Sequence, residues 1–217
     1  MSNTRRAADD LRRMIFTGAL GPGTDHLESE LADLLGMSRT PVREAILLLQ
    51  AQGLVEMRPR KGMRVLALSP TDMRDIYDVL TELECLAADR AAGFGYDQSE
   101  LEPLSGAIAD MDAALARGDR EAWSEADDRF HSELVRLGQN HRVQAIAGMM
   151  VDQVRRARTT TLHLRPLPTK SNEDHRRVYE AIRAGDPDTA RRVHNAHRTH
   201  AKDMLLGLLD KLGLRQV

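Results

Sequence analysis

From residue 71 onward the chain keeps to one pattern, with apolar side chains at three- and four-residue spacing through stretches at about 71–92, 99–116, 119–138, 141–163, 171–184 and 187–212. Gly93 and Gly95, Gly118, Gly138, Pro166 and Pro168, and Gly185 with Pro187 punctuate them. Six helices joined by short connections predict an antiparallel bundle. Composition points the same way, since three Phe, three Tyr and one Trp in 217 residues are too few aromatics for a sandwich or barrel. The chain should be mostly α. Ser69-Pro70-Thr71-Asp72 reads as a helix start, with Ser69 as cap, Pro70 in the first turn and Asp72 favouring the dipole. A boundary placed there gives two units, 9–68 and 69–214.

The longest apolar run, 145–151, is far below the roughly 20 residues needed to cross a bilayer. Residues 1–13 are polar, carry Asp9 and Asp10, and have no apolar segment of signal-peptide length behind them. The expected location is the cytoplasm, with no membrane partner. Cys85, the one cysteine, has no partner for an intramolecular disulfide and reads as an inert thiol in a helical core.

The first unit has a different rhythm. A short helix at about 9–18, with Leu11, Met14 and Ile15 on one side, precedes the turn Gly21-Pro22-Gly23. A second helix at 28–35 buries Leu31, Leu34 and Leu35 and stops at Gly36. Ser38 then offers an N-cap for a third helix, to about Gln52, with Val42, Ala45, Ile46 and Leu49 facing inward. Alternating stretches at 54–58 and 63–68 flank Pro59-Arg60-Lys61-Gly62, a hairpin with a basic tip.

That order of elements is a winged helix-turn-helix, whose second motif helix lays its N-terminus against base edges in the major groove of duplex DNA. Arg39 and Arg43 lie four apart on one face, where guanidinium groups reach guanine edges or phosphates. A solvated helix face is the bland alternative. Ser38 and Thr40 supply hydroxyls and backbone N–H groups for phosphates, and Arg60 and Lys61 stand where a wing meets the minor groove. Charge permits this without demanding it: residues 1–65 hold ten Lys and Arg against eight Asp and Glu, the remainder 21 against 25.

In the second unit, Asp127 and His131 are four apart on one helical face, and His175 and His197 lie on two later helices. Three imidazoles and a carboxylate suit Zn²⁺, Ni²⁺, Mn²⁺ or Fe²⁺ with positions open for water or an anion. Eight histidines also allow accidental combinations.

The stretch from Leu20-Gly21-Pro22-Gly23 to Leu27, then Leu31-Ala32-Asp33-Leu34-Leu35-Gly36-Met37-Ser38-Arg39-Thr40-Pro41-Val42-Arg43-Glu44-Ala45, then Gly53-Leu54-Val55 and Gly62, resembles the GntR family of bacterial transcription regulators. The resemblance implies operator contacts at Ser38, Arg39, Thr40, Arg43, Lys61 and Gly62. Asp127-Asp128-Arg129-Phe130-His131, Asn140, His175 before Ala181-Ile182, and Ala190 before His197 resemble the FCD ligand-binding domain of the FadR subgroup. It implies a divalent metal, zinc foremost, on Asp127, His131, His175 and His197, with a small carboxylate completing the coordination. A palindromic operator, a homodimer and repression released by the effector follow from the same resemblance. One departure stands out: Leu80 occupies, four positions before Glu84, a place where many members carry arginine. Leu80 faces inward by spacing from Ile76, Leu83 and Ala87, which removes one carboxylate clamp.

Arg158 follows Val154 by four and Met150 by eight, so its head either enters the effector pocket or marks a solvated helix end. His194 reads as a surface residue or a partner to His197, Trp123 as packed between helices or domains, and His26, His141, His163 and His200 carry no assignment. Besides a regulator, two functions compete: a metalloenzyme with Glu125, Asp128 or Glu173 as acid or base and an appended DNA domain, and a sensor of the metal ion itself.

Overall fold

The computed structural model describes residues 2–213, apart from the side chains of residues 156, 159 and 160, so the expected end of the second unit at 214 falls outside the described residues. Helix α1 (Asn3–Phe16) starts well before residue 9, because the Ser2 hydroxyl accepts from the Arg5 N–H at 3.2 Å and Ala7 and Ala8 extend the buried stripe of Leu11 and Ile15. Helices α2 (Glu28–Leu35) and α3 (Arg39–Ala51) meet across Gly36, whose φ of 61° ends α2 in the left-handed region. Val42, Ala45, Ile46 and Leu49 are fully buried, as their spacing predicts, whereas Leu34 is 58% exposed.

The wing is a three-stranded antiparallel sheet in the order β1-β3-β2, comprising β1 (Asp25–His26), β2 (Val55–Arg58) and β3 (Gly62–Val65). Met57 faces Met63 and Asp25 faces Arg64. The hairpin was expected; β1 was not, since two residues carry no alternation to read. Gly62 is required by this pairing: its φ is 76°, and a Cβ there would lie 2.3 Å from the His26 carbonyl oxygen.

The bundle holds α4 (Pro70–Gly93), α5 (Glu102–Arg117), α6 (Arg120–Leu137), α7 (His141–Thr161), a 3-10 turn (Leu162–Leu164), α8 (Thr169–Arg183) and α9 (Pro187–Lys211). Ser69 and Asp72 form a reciprocal cap at the start of α4. Helix α4 runs through the middle, touching α6, α7, α8 and α9, with Tyr77, Leu80 and Cys85 fully buried. Burial pushes the Cys85 thiol up to about 11 against the opposing field of Arg191, so it stays protonated. No helix among the described residues is long and apolar enough to cross a membrane.

Candidate functional site

Four helices deliver side chains to one buried point: α6 brings Asp127 and His131, α8 brings His175, α9 brings His197, and α4 passes behind them with Glu84. Asp127 Oδ1 lies 3.6 Å from His131 Nε2 and 3.4 Å from His175 Nε2, and His175 Nε2 lies 3.2 Å from His197 Nε2. Ligands about 2.1 Å from a divalent ion at tetrahedral angles have edges of about 3.4 Å, close to these three separations, and all four donors lie within 4.8 Å of one another. Among the described residues neither buried ring nitrogen of His131 has a partner at good hydrogen-bond geometry, the nearest groups being the Glu84 carboxylate 3.4 Å from Nδ1 and the Asp127 carboxylate 3.6 Å from Nε2.

The electrostatics suit a cation. Burial alone would raise the Asp127 carboxyl, but the Arg158 guanidinium and then His131 hold it well below the ordinary carboxylate range. Burial, together with Arg198, works against a charge on His131, yet Glu84 and Asp127 outweigh them and raise it. His175 and His197 are pushed far down, first by burial, and stay neutral as ligands must.

Behind the quartet, Glu84 is fully buried, its Oε2 lies 3.4 Å from His131 Nδ1 and 2.8 Å from His194 Nε2, and Arg198 holds it in a two-pronged ion pair. A carboxylate on the far nitrogen of a ligating imidazole fixes the ring's orientation and strengthens it as a donor. His194 is therefore not a surface residue: it is completely buried, and burial pushes it down to about 4. Sequence reasoning missed Glu84 and Arg198 as partners, although His194, Arg198 and Leu205 lie on one inward stripe of α9 that spacing alone could have revealed. The core holds a guanidinium despite Leu80, brought by Arg198 from another helix.

Arg158 is 8% exposed, which sets aside the solvated helix end. It donates to Asp127 Oδ2 and, at 3.2 Å, to Asp128 Oδ1; Arg155 joins Asp128 at 2.8 Å. Trp123 is buried between α6 and α8, its Nε1 donating to Asn172 Oδ1 at 2.7 Å.

In the first unit, Ser38 takes the N-cap position of α3 in extended conformation, but its hydroxyl makes no cap bond. Ser38, Arg39, Thr40, Arg43, Arg60 and Lys61 are all exposed. Arg39 and Arg43 line one cleft with Arg58, Arg60 and Gly62 of the wing. Lys61 stands at the tip outside it. Arg43 rests 3.8 Å from Glu28, a loose exposed contact that opposes little resistance to its moving onto a phosphate or base.

The two units touch through α7. Gln153 Nε2 donates to the carbonyl oxygen of Gln52, the residue that ends α3, at 3.2 Å, and Asp152 lies 3.5 Å from Arg12 of α1. Arg12 in turn donates to Gln52 Oε1 at 2.9 Å.

Comparison with known proteins adds independent findings. Residues 3–65 match the family model described as bacterial regulatory proteins, gntR family, and residues 75–200 match that of the FCD domain. An HTH-type transcriptional regulator of Streptomyces ambofaciens is 32% identical over 204 residues, covering 93% of this chain and 83% of its own. The probable D-xylose utilization operon transcriptional repressor of Paenarthrobacter nicotinovorans is 31% identical over 186 residues, covering 84% and 80%. Among solved structures, Escherichia coli McbR/YncC superposes with a TM-score of 0.81 at 21% identity, covering 96% of this chain and 99% of its own, which bears on the fold alone.

Proposed function

Because this chain belongs to the gntR family of bacterial regulatory proteins and carries an FCD domain, we propose that it is a cytoplasmic homodimeric repressor that releases a palindromic operator when a small carboxylate enters the metal-binding pocket of its bundle. Residues 9–68 serve as the DNA-binding domain and 69–214 as the effector and dimerisation domain. Two copies of α3 enter successive major grooves, with Arg39 and Arg43 at base edges or phosphates, Ser38 and Thr40 on phosphates, and Arg60 and Lys61 beside the wing's groove. Gly62 gives the backbone of the wing its close approach to β1.

Asp127, His131, His175 and His197 would hold the ion, zinc before nickel, manganese or iron, since nitrogen donors in tetrahedral spacing suit it best. Bound there, the ion supplies an electrophilic seat for an anionic oxygen. Glu84 orients His131, Arg158 balances Asp127 and faces the same cavity, and Trp123, Leu162 and Met204 give that cavity an apolar side. A carboxylate drawing on Arg158 weakens its grip on Asp127 and shifts α7.

The observation that carries the reading is that α7 touches both ends of this process. Arg158 bonds the quartet and Gln153 bonds the end of the recognition helix, with Asp152 and Arg158 about 9 Å apart along the axis. Coupling of about 1–3 kcal/mol between effector and operator suffices for a switch.

Metal content per chain by mass spectrometry, on tag-free protein beside His175→Ala, tests the pocket. Roughly one tightly held ion, lost in the variant, is expected. Reconstituted protein without metal would overturn the metal reading and recast the bundle as a metal-free pocket.

A further inference from the structure

Four arginines, Arg120, Arg158, Arg165 and Arg198, line the small cavity that opens from the quartet toward the connection after α7. Two are already balanced: Arg158 by Asp127 and Asp128, and Arg198 by Glu84. Among the described residues no carboxylate is paired with the other two. Arg120 Nη1 donates to the carbonyl oxygens of Arg165 and Pro166, at 2.9 and 3.3 Å. Arg165 donates from Nε and Nη2 to a single neutral oxygen, Thr161 Oγ1, at 3.0 and 2.8 Å. That hydroxyl is itself buried and committed to the Ala157 carbonyl at 2.9 Å. No carboxylate among the described residues pairs with Arg165.

Arg165 is half-buried, and a guanidinium partly withdrawn from water with no counter-ion is held less favourably than one paired with a carboxylate. Burial, with the neighbouring charge of Arg158, pushes Arg165 down to about 10, the sign of a cation short of a partner. Arg120 fastens the backbone that carries Arg165 to the start of α6, and the guanidinium itself is tied to Thr161. The cavity, of about 50 Å³, admits a short ligand only.

Resting on the reading of this pocket as a carboxylate sensor, we infer that the effector is a small dicarboxylate: one carboxylate meets the quartet and Arg158, and the second pairs with Arg165. A two-toothed guanidinium–carboxylate pair has the planar geometry that Arg165 lacks with its hydroxyl partner. Arg120 is a positioning residue. Selectivity then follows from charge at the second end, because a ligand lacking it leaves the half-buried cation without a carboxylate partner.

Calorimetric titration of the metal-loaded full chain with succinate, and with succinamate, in which one carboxylate becomes an amide of nearly equal shape, reads this out. Wild type should bind succinate tighter than succinamate by about tenfold or more. Arg165→Gln should bring that ratio near unity by weakening succinate binding far more than succinamate binding, and Arg165→Lys, which keeps the charge and loses the fork, should retain part of the preference. Equal affinity of wild type for the two ligands, or a loss shared equally by both in Arg165→Gln, would overturn the dicarboxylate assignment and leave carboxylate sensing standing. Failure of wild type to bind either ligand, or butyrate, would overturn the sensing reading and this inference with it. If Arg165→Gln does not fold, as judged by its melting curve, the wild-type ratio and its persistence undiminished in Arg165→Lys decide the matter: an unchanged ratio in Arg165→Lys counts against a fork-shaped contact.

Discussion

Arg39 and Lys61 are both exposed cations of the first unit, yet their places predict different losses. Arg39 sits at the first turn of α3, in the cleft shared with the wing, so Arg39→Ala should cost about 1–3 kcal/mol on the operator and relax its preference at one base position. Lys61, at the hairpin tip, should weaken all duplexes alike and reduce the salt slope by about one when changed to Ala. Titrations on operator and random DNA at several salt concentrations separate the two, and an equal loss on both DNAs for Arg39→Ala would remove its role as a base reader. At this scale spacing put Asp127 and His131 on one helical face, but eight histidines allow accidental combinations, and it was the resemblance to the FCD domain that singled out His175 and His197, which the fold brings to the same point. Glu84, His194, Arg198 and Arg165 were not legible in this way. A charge in the middle of an apolar stripe looks like a surface residue until its partner, supplied from another helix or a distant turn, is known. Truncating Arg198 would strand Glu84 in the core, the kind of change that costs about 3–5 kcal/mol.

Single elements announce themselves by their ends. The Ser69 hydroxyl accepts from the Asp72 N–H at 3.1 Å and the Asp72 carboxylate accepts from the Ser69 N–H at 2.8 Å, closing the first turn of α4. Ser69, through its side chain and then its backbone, holds Asp72 below its ordinary 3.8. A carboxyl depressed in the fold adds stability that is present above its unfolded value and lost as pH falls through the lower folded one. Asp72→Ala should therefore lower stability by a few tenths to about 1 kcal/mol at neutral pH, with the difference shrinking near pH 3. Urea midpoints at both pH values check this, and a pH-independent difference would refute the carboxylate's part. The early start of α1 and the whole of β1 escaped the sequence because their cues are weak. Ser2 caps a turn of polar residues, and β1 gains its identity only from the β3 edge it joins.

Across the whole molecule, α7 carries the argument. Gln153 and Asp152 grip the first unit while Arg155 and Arg158, within two turns, grip Asp128 and Asp127. Gln153→Ala should leave metal content and the fold intact but diminish, several-fold, the change in operator affinity caused by a bound carboxylate. Fluorescence anisotropy on an operator fragment with and without ligand measures the shift, and an undiminished one would place the coupling elsewhere. The bundle, the winged helix, the exposed cations of α3 and the inward Leu80 were determined by the sequence alone, since periodicity, caps and turn residues are local properties that hold whatever lies nearby. Which charges are buried, which guanidinium lacks a counter-ion, and that one helix bridges the metal pocket and the recognition helix were decided only by tertiary structure. These are facts about groups brought together from distant parts of the chain, and burial and pairing, unlike helical spacing, are not properties any one segment possesses.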